Sequence, residues 1–340
     1  MMWHLDVLGS LDATFVVSKF SIIALYSVRG RRRDWSAKSA GTLPVMWEQS
    51  PATSSRSSFP LYYMSDPIFV KTRYHYDPYV DFWDLVALSK FQSVYVDEMD
   101  LYDSEKLYMV SPHNGELEDF MKDKKDGKKA NVYLWNLERP GGSGGVDNYK
   151  RDGNKLVEDG YIDKIIVSDI ALAVECGKNF MYMPLGSHEH FGYPGKVTEK
   201  EYDLIHLSCY SNNRSWMFHT PELPKSDLCG LSVAGNGWGQ ERHERLMRSK
   251  FMLCTHQDEY PFIEPIRYAV AAAYGLPIIG EMSLSTIPYN SVFQFEKQFD
   301  FCRVARAVVD RYSKFVDIGL EYREKMTNAL SFRRCVERYI

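Results

Sequence analysis

The stretch Met247–Glu281, MRSKFMLCTHQDEYPFIEPIRYAVAAAYGLPIIGE, constrains the fold more than any other part of the chain. Phe251–Thr255 is a short apolar run of buried-strand type, and it stops at His256-Gln257-Asp258-Glu259. Glu264-Pro265 marks a helix start, because proline at the first helical position gives up an N–H that has no helical partner there. Tyr268 to Tyr274 is alanine-rich and suits close packing on a sheet, Gly275 ends the helix, and Leu276–Gly280 is a second buried strand closed by Glu281. The order strand, loop, helix, strand is a βαβ unit, whose strands lie parallel. Polar residues cluster where strands end and the helix begins, the rim at which open α/β sheets bind ligands. Arg267 falls in the first helical turn, where the helix dipole disfavours a cation. Two readings of it stand: an ion pair with Glu264 or Asp258, or a seat for a phosphate-bearing ligand shared with the free N–H groups.

The same rhythm extends through the chain. Ile68–Val70, Ser93–Val96, Leu107–Val110 and Asn131–Trp135 read as short apolar strands, and Asp81–Lys90 as an amphipathic helix. Each strand ends in a polar cluster: Lys71 to Asp77, Asp97-Glu98, Ser111 to Glu116, and Asn136 to Pro140. That pattern predicts a parallel sheet with functional loops along one edge. Lys164–Val167 is expected to start a second sheet, with Ser168-Asp169 capping a helix to Cys176. Asn179–Met183, Tyr202–Cys209, Leu228–Ala234 and Ser291–Phe295 read as further strands. Glu241–Ser249, Phe299–Phe315 and Gly319–Tyr339 read as helices.

At 340 residues the chain has room for two domains. A net charge of −4 supplies no overall field toward nucleic acid. The 23 Tyr, 18 Phe and 7 Trp point to an aromatic-rich core or to stacking on sugars and bases. Six cysteines form no CxxC pair, and Cys209, Cys229 and Cys254 read as buried thiols, which argues for a reducing compartment such as the cytoplasm. Residues 1–63 stand apart. Their apolar run Leu11–Val28 is broken by Asp12 and Lys19, short of the roughly 20 clean apolar residues a membrane span needs. They are expected to be a poorly ordered extension, or the product of a start placed ahead of Met64. Pro140 to Gly145 lacks both the GxGxxG spacing and the lysine of a phosphate loop and reads as a mobile loop. His188-Glu189-His190 lacks an evident third ligand, so no metal site is assigned.

The second half resembles the C-terminal domain of GT-B glycosyltransferases, in particular the group related to the spore protein CgeB and similar phage-encoded enzymes. The resemblance rests on an ordered set. Leu204 to Arg214 matches a strand followed by a loop and an arginine-bearing helix, and Gly235-Asn236-Gly237-Trp238 a Gly-x-x-Trp strand end. Arg248-Ser249-Lys250-Phe251 matches a helix running into a Ser-Lys strand. Arg267, Ala271, Ala273, Gly275 and Pro277 match Arg-x-x-x-Ala-x-Ala-x-Gly-x-Pro. One departure is Val270, which stands where the group carries a ribose-binding glutamate. Glu264 or Glu281 is the substitute.

The resemblance implies an α/β fold with two Rossmann-like domains facing across a cleft and a C-terminal crossover helix. Residues 64–160 are expected to form the acceptor side, 161–318 the nucleotide-sugar domain, and 319–340 the helix returning to the first domain. It implies a hexosyltransferase that needs no bound metal and no tightly bound cofactor, with a nucleotide-sugar such as UDP-glucose as co-substrate. The implied donor site comprises Tyr210, Arg214, Gly235, Asn236, Trp238, His256, Gln257, Asp258, Glu264, Arg267 and Glu281. The leaving diphosphate calls for positive charge and N–H donors, which Arg214, Arg267 and the nearby helix starts supply. An inverting reaction also needs a base for the acceptor hydroxyl. Strand-end candidates are Glu138 first, then His75 and Asp97, with Glu98 and His113 behind them. Lys71, Arg73, Tyr74, Asn114 and Arg139 are the acceptor-side candidates, and Lys150 and Arg151 extend that basic path. The acceptor is left open among a hydroxymethylated pyrimidine in phage-type DNA, a saccharide and a protein. A nucleotide-sugar-binding protein without turnover is the alternative reading.

Overall fold

Short runs of β-branched and aromatic residues, each closed by a polar cluster, become the strands of two parallel sheets. The computed structural model describes residues 14–18, 21–25, 66–72, 80–111, 115–138, 140, 145–192, 199–235, 237, 239–289, 292–296 and 298–340. The strands are β1 (Thr14–Ser18), β2 (Ser21–Leu25), β3 (Ile68–Lys71), β4 (Ser93–Tyr95), β5 (Leu107–Val110), β6 (Asn131–Trp135), β7 (Lys164–Val167), β8 (Phe180–Tyr182), β9 (Tyr202–Ile205), β10 (Phe218–Thr220), β11 (Leu223–Pro224), β12 (Asp227–Leu228), β13 (Leu231–Ala234), β14 (Ser249–Cys254), β15 (Ile278–Glu281) and β16 (Val292–Phe295). The helices are α1 (Val80–Leu88), α2 (Glu116–Met121), α3 (Gly145–Glu158), α4 (Ile170–Cys176), α5 (Gly239–Met247), α6 (Pro265–Ala273), α7 (Gln298–Val309), α8 (Val316–Thr327) and α9 (Phe332–Tyr339).

The first sheet runs β4-β3-β5-β6-β7-β8 and is parallel throughout. The second runs β12-β13-β9-β14-β15-β16, parallel except for β12, which pairs antiparallel with β13. In each sheet the chain reverses direction across a central strand. The switch points lie between β3 and β5 and between β9 and β14, and a crevice opens at such a point beyond the carboxyl ends of the strands. This is the α/β architecture of two Rossmann-like sheets.

Several expectations need correcting. β7 does not start the second sheet: it pairs with β6 and is followed by β8 in the first. The first sheet therefore reaches Tyr182, and the connection to the second runs through 183–201. The expected strand 228–234 is a hairpin, β12 and β13, turning through Cys229 and Gly230, both at positive φ. The single helix expected over 319–339 is two helices, broken between Thr327 and Phe332, and the first of them begins at Val316. α8 packs on α6, where the Tyr322 hydroxyl donates to the Tyr268 carbonyl at 2.8 Å. α9 carries the chain back to the first sheet, where Phe332 meets Phe69 and Trp135. Within 1–63, the described residues are β1 and β2, which pair antiparallel, with β2 alongside β16. Met64 lies outside the described residues. Cys229 is not a free thiol: it is bonded to Cys302 across 73 residues, with Cα atoms 5.5 Å apart, and Cys209 is exposed. Cys254 is buried as expected.

The aromatic residues supply much of the core. Phe332 of α9 stacks on Trp135 with centroids 5.4 Å apart and packs against Phe69, Phe82 and Phe91. The backbone follows closely, for the Phe332 N–H donates to the Ser187 carbonyl at 2.7 Å. Gly186 permits that approach, since a Cβ there would lie 2.1 Å from the Leu330 carbonyl oxygen.

The halves are joined by packing and by polar bonds. One buried cluster includes Phe82, Trp135 and Phe332 together with Ile205, Met252 and Val270. Arg242 of α5 pairs with Asp81 of α1 at 2.5 Å, with both side chains largely buried. Asp169 caps α4, its Oδ1 accepting from Ala171 N at 2.8 Å and Leu172 N at 3.1 Å. Its Oδ2 accepts from Ile263 N of the second half at 3.0 Å. Burial raises the Asp169 carboxyl above the ordinary range, against the pull of these three N–H groups.

Candidate active site

The crevice between β9 and β14 gathers most of the chemistry. β14 carries the chain to Thr255 and His256, β15 ends on Glu281, and α6 starts after Glu264, with Pro265 at its first position. Glu264 does not cap its own helix. Its carboxylate turns to two arginines instead. Oε1 accepts from Arg214 Nη2, and Oε2 pairs with Arg267 Nη2 at 2.7 Å. This settles the geometry of Arg267 as an ion pair with Glu264. It leaves Arg267 Nη1 buried and without a hydrogen-bond partner. A small cavity beside it is lined by Cys254, Thr255, His256, Ile263, Glu264, Arg267 and Tyr268.

Arg214 behaves differently from Arg267. It is fully buried, and its Nε and Nη2 both donate to the Thr255 carbonyl, at 3.3 and 2.6 Å. The segment after it is a single 3₁₀ turn, Ser215–Met217, not the helix expected there. Arg214 thus ties the 210–217 loop to the end of β14 and to the start of α6. Next to it, Asn213 Nδ2 donates to the carbonyls of His256 and Asp258, at 3.0 and 3.2 Å.

His256 is held at three points. Its N–H donates to Glu281 Oε2 at 2.8 Å, and its Nε2 lies 3.1 Å from the Met282 carbonyl and 3.3 Å from Ser283 Oγ. A carbonyl only accepts, so Nε2 carries the hydrogen. Burial pushes the Cys254 thiol up to about 12, so it stays protonated at the crevice floor. Val270, where a ribose-binding acid was expected, is buried in the core shared by both halves.

Arg214, His256, Glu264, Arg267 and Glu281 are therefore brought together. Other expected donor residues are arranged less closely. Gln257 is exposed, Asp258 accepts from Tyr260 N at 3.3 Å, and the exposed Tyr210 ring meets Phe218 edge-on at 5.6 Å. The Gly235 carbonyl accepts from Arg245 Nη1 at 3.0 Å. Lys250 lies within β14 and pairs with Asp203 at 2.7 Å.

On the first sheet, Lys71 at the end of β3 lies over the Trp83 ring, 5.0 Å from its centroid. Glu138 is exposed; its N–H is held by Asn136 Oδ1 at 3.1 Å, and its carbonyl accepts from the Tyr149 hydroxyl at 3.3 Å. Asp97 is exposed in a 3₁₀ turn after β4. β4 is the edge strand, so the turn stands away from the β3–β5 switch point. Arg73, Tyr74, His75, Asn114, Arg139, Asn236 and Trp238 lie outside the described residues. His190 and Glu189 are exposed, their polar atoms 3.6 Å apart, and among the described residues no three metal-ligating side chains gather.

Sequence reasoning missed His206 and Ser208, and it placed Asp169 as a helix cap without its bond to Ile263. His206 follows β9 at the switch point and is 1% exposed, with neither ring nitrogen hydrogen-bonded; the Ser208 hydroxyl is likewise buried and unpartnered. Burial, Arg267 and Arg214 together lower the His206 imidazole to about 4. The available signal was a lone histidine in the otherwise apolar run Leu204-Ile205-His206-Leu207.

No family model matches the chain, and no curated protein matches it in sequence. Among solved structures, the chain is similar to TarM with a TM-score of 0.47 at 11% identity, over 70% of this chain and 54% of TarM. It thus spans about half of TarM's length. An α1,3-fucosyltransferase gives a TM-score of 0.45 at 10% identity, over 80% of this chain and 88% of its own. MurG of Acinetobacter baumannii gives 0.32 at 7% identity, over 81% of this chain and 99% of its own.

Proposed function

We propose that the chain is a glycosyltransferase that moves a hexose from a nucleotide-sugar to an acceptor hydroxyl. The observation that carries this reading is the arrangement at the β9–β14 switch point. Arg267, with a buried and unpartnered Nη1, stands at the start of α6 paired with Glu264, while Glu281 at the end of β15 holds the neighbouring His256 N–H. Guanidinium and helix N–H groups suit a departing diphosphate, and carboxylates accept from a ribose diol. Arg267 binds the diphosphate. Arg214 holds Glu264 and the end of β14 in place. Glu264 and Glu281 take the ribose role that Val270 leaves unfilled. Tyr210, His256, Gln257 and Asp258 border the donor, with Gly235, Asn236 and Trp238 on the neighbouring loop.

The acceptor approaches along the first sheet. Glu138 serves as the base for an inverting transfer, with His75 and Asp97 as alternatives, and Lys71, Arg73, Tyr74, Asn114 and Arg139 line the approach. Hydroxymethylated pyrimidine in DNA, a saccharide or a protein is the acceptor class to be separated by assay.

The test begins with binding of UDP-glucose and GDP-mannose by calorimetry. It continues with release of nucleoside diphosphate in the presence of hydroxymethylated DNA, oligosaccharide or protein. Failure of both donors to bind would sink the donor reading. Binding without release on any acceptor would favour a binding protein. Charge-assisted hydrogen bonds contribute about 1.5–3 kcal/mol, so Arg267→Gln is expected to weaken donor binding roughly ten- to hundredfold. Glu138→Gln is expected to slow transfer about a hundredfold or more at saturating donor, with donor affinity unchanged. Wild-type turnover in that variant would discard the base assignment.

A further inference from the structure

Arg267 is given to the diphosphate in the reading above, yet neither of its terminal nitrogens is open to a ligand. Nη2 is paired with Glu264 Oε2 at 2.7 Å. Nη1 is buried without a hydrogen-bond partner. The cavity that Arg267 helps to line holds about 10 Å³, room for a single water. A phosphate group does not fit there while Glu264 stays where it is. The seat is already filled, by an anion of the protein's own.

Glu264 is well placed for that part. It is the last residue before α6, and its side chain leaves its own helix start uncapped. One carboxylate oxygen accepts from Arg214 and the other from Arg267, so a single charge bridges two guanidinium groups. Carboxylate and phosphate offer a guanidinium the same paired acceptor oxygens, and two such anions compete for one fork. The Glu264 side chain is 18% exposed, against 1% for Arg214 and 12% for Arg267, so the carboxylate is the member of the cluster with a way out to solvent. Arg214 keeps its place when the carboxylate leaves, because its Nε and Nη2 also donate to the Thr255 carbonyl.

Displacement sets a threshold. The entering anion must replace what the carboxylate gives, because buried guanidinium groups left without an anion are costly. A single phosphate offers one anionic group in exchange for one, with little net gain. A diphosphate offers two anionic groups to two guanidinium groups. We propose that Glu264 is a specificity-determining residue of the donor seat: its carboxylate occupies the arginines in the unliganded protein, gives way to a diphosphate, and shuts out a single phosphate. This inference rests on the nucleotide-sugar reading above, in which the displaced carboxylate is then free for the ribose. No covalent bond changes.

Calorimetry on the full chain tests this, with inorganic phosphate, inorganic pyrophosphate, UDP-glucose and GDP-mannose as probes. The wild-type chain is expected to bind pyrophosphate at least about tenfold more tightly than phosphate, the worth of a further charge-assisted contact. Glu264→Gln keeps the shape and removes the charge. It is expected to bind phosphate about tenfold more tightly than wild type does, which narrows the gap between the two anions. Arg267→Gln is expected to lose pyrophosphate binding, which ties the signal to this seat. Where Glu264→Gln fails to fold, a crystal structure of the wild-type chain soaked with pyrophosphate gives the second readout. In it, Glu264 Oε2 should stand beyond hydrogen-bond reach of Arg267 Nη2. Phosphate binding no tighter in Glu264→Gln, pyrophosphate binding undiminished in Arg267→Gln, or bound pyrophosphate beside an intact Glu264–Arg267 pair would overturn the inference. With the nucleotide-sugars bound, the donor reading outlives that result. Failure of all four probes to bind the wild-type chain would overturn the two together.

Discussion

At the scale of single residues, two arginines in one cluster do different work. Arg214 is fully buried and directs Nε and Nη2 to the Thr255 carbonyl and Nη2 to Glu264 as well. Its removal takes from Glu264 one of two arginine partners, leaving Arg267, and frees a strand-end carbonyl. Breaking a buried pair from one side costs about 3–5 kcal/mol, so Arg214→Met is expected to lower stability by that amount in urea unfolding. Arg214→Lys should recover little, because one ammonium cannot reproduce the planar fork. An unfolding midpoint within error of wild type would show that Arg214 is not the anchor described. The sequence marks Arg214 and Arg267 alike, as arginines beside helix starts. What it does not carry is burial. Whether an arginine faces a ligand or a carbonyl depends on where a strand 41 residues away comes to its end. His206 escaped notice for a related reason: in an apolar run, a histidine and a core residue look the same until its partners are known.

At the scale of elements, α9 is the clearest case of a short helix with a large role. Its eight residues place Phe332 against Phe69, Phe82, Phe91 and Trp135. Truncating a buried phenylalanine to alanine costs about 3–5 kcal/mol, so Phe332→Ala is expected to fall in that range in chemical denaturation. A loss under 1 kcal/mol would mean that the aromatic floor closes without it. Strands such as Asn131–Trp135 and Leu107–Val110 were legible at the right residues, because apolar runs bounded by polar clusters are local signals. Sheet membership is not local. Lys164–Val167 carries the same pattern whichever sheet it joins, and the hand-over is made by Met183 to Glu201, which reads like any other loop. The Cys229–Cys302 pairing is likewise invisible in spacing, since its partners lie on a hairpin turn and on α7. The break between α8 and α9 was readable only in part: Ser331 is an N-cap whose side chain accepts from Arg334 N.

At the scale of the molecule, two sheets do not make two independent bodies. One of the three buried clusters holds residues of both sheets, and polar bonds cross at Asp81–Arg242 and Asp169–Ile263. A large apolar interface couples the stabilities of the two halves. Calorimetric unfolding is therefore expected to show one transition, with van't Hoff and calorimetric enthalpies in agreement. Two separated peaks would show that the junction is weaker than the shared cluster implies. The twofold division itself was legible from length and from the repeated strand rhythm. The depth of the junction was not, because Asp169 and Ile263 are 94 residues apart and neither looks unusual in its own segment.

The return of α9 also sets a timetable for synthesis. The first sheet leaves the ribosome early, but Phe332, which covers Phe69, Phe82 and Trp135, emerges some 200 residues after the last of them. At translation rates of about 5–20 residues per second, that aromatic surface stays uncovered for on the order of 10 seconds or more, while the second sheet is still being made. Until the last helix arrives, the first sheet carries an aromatic face that its own chain has not yet covered.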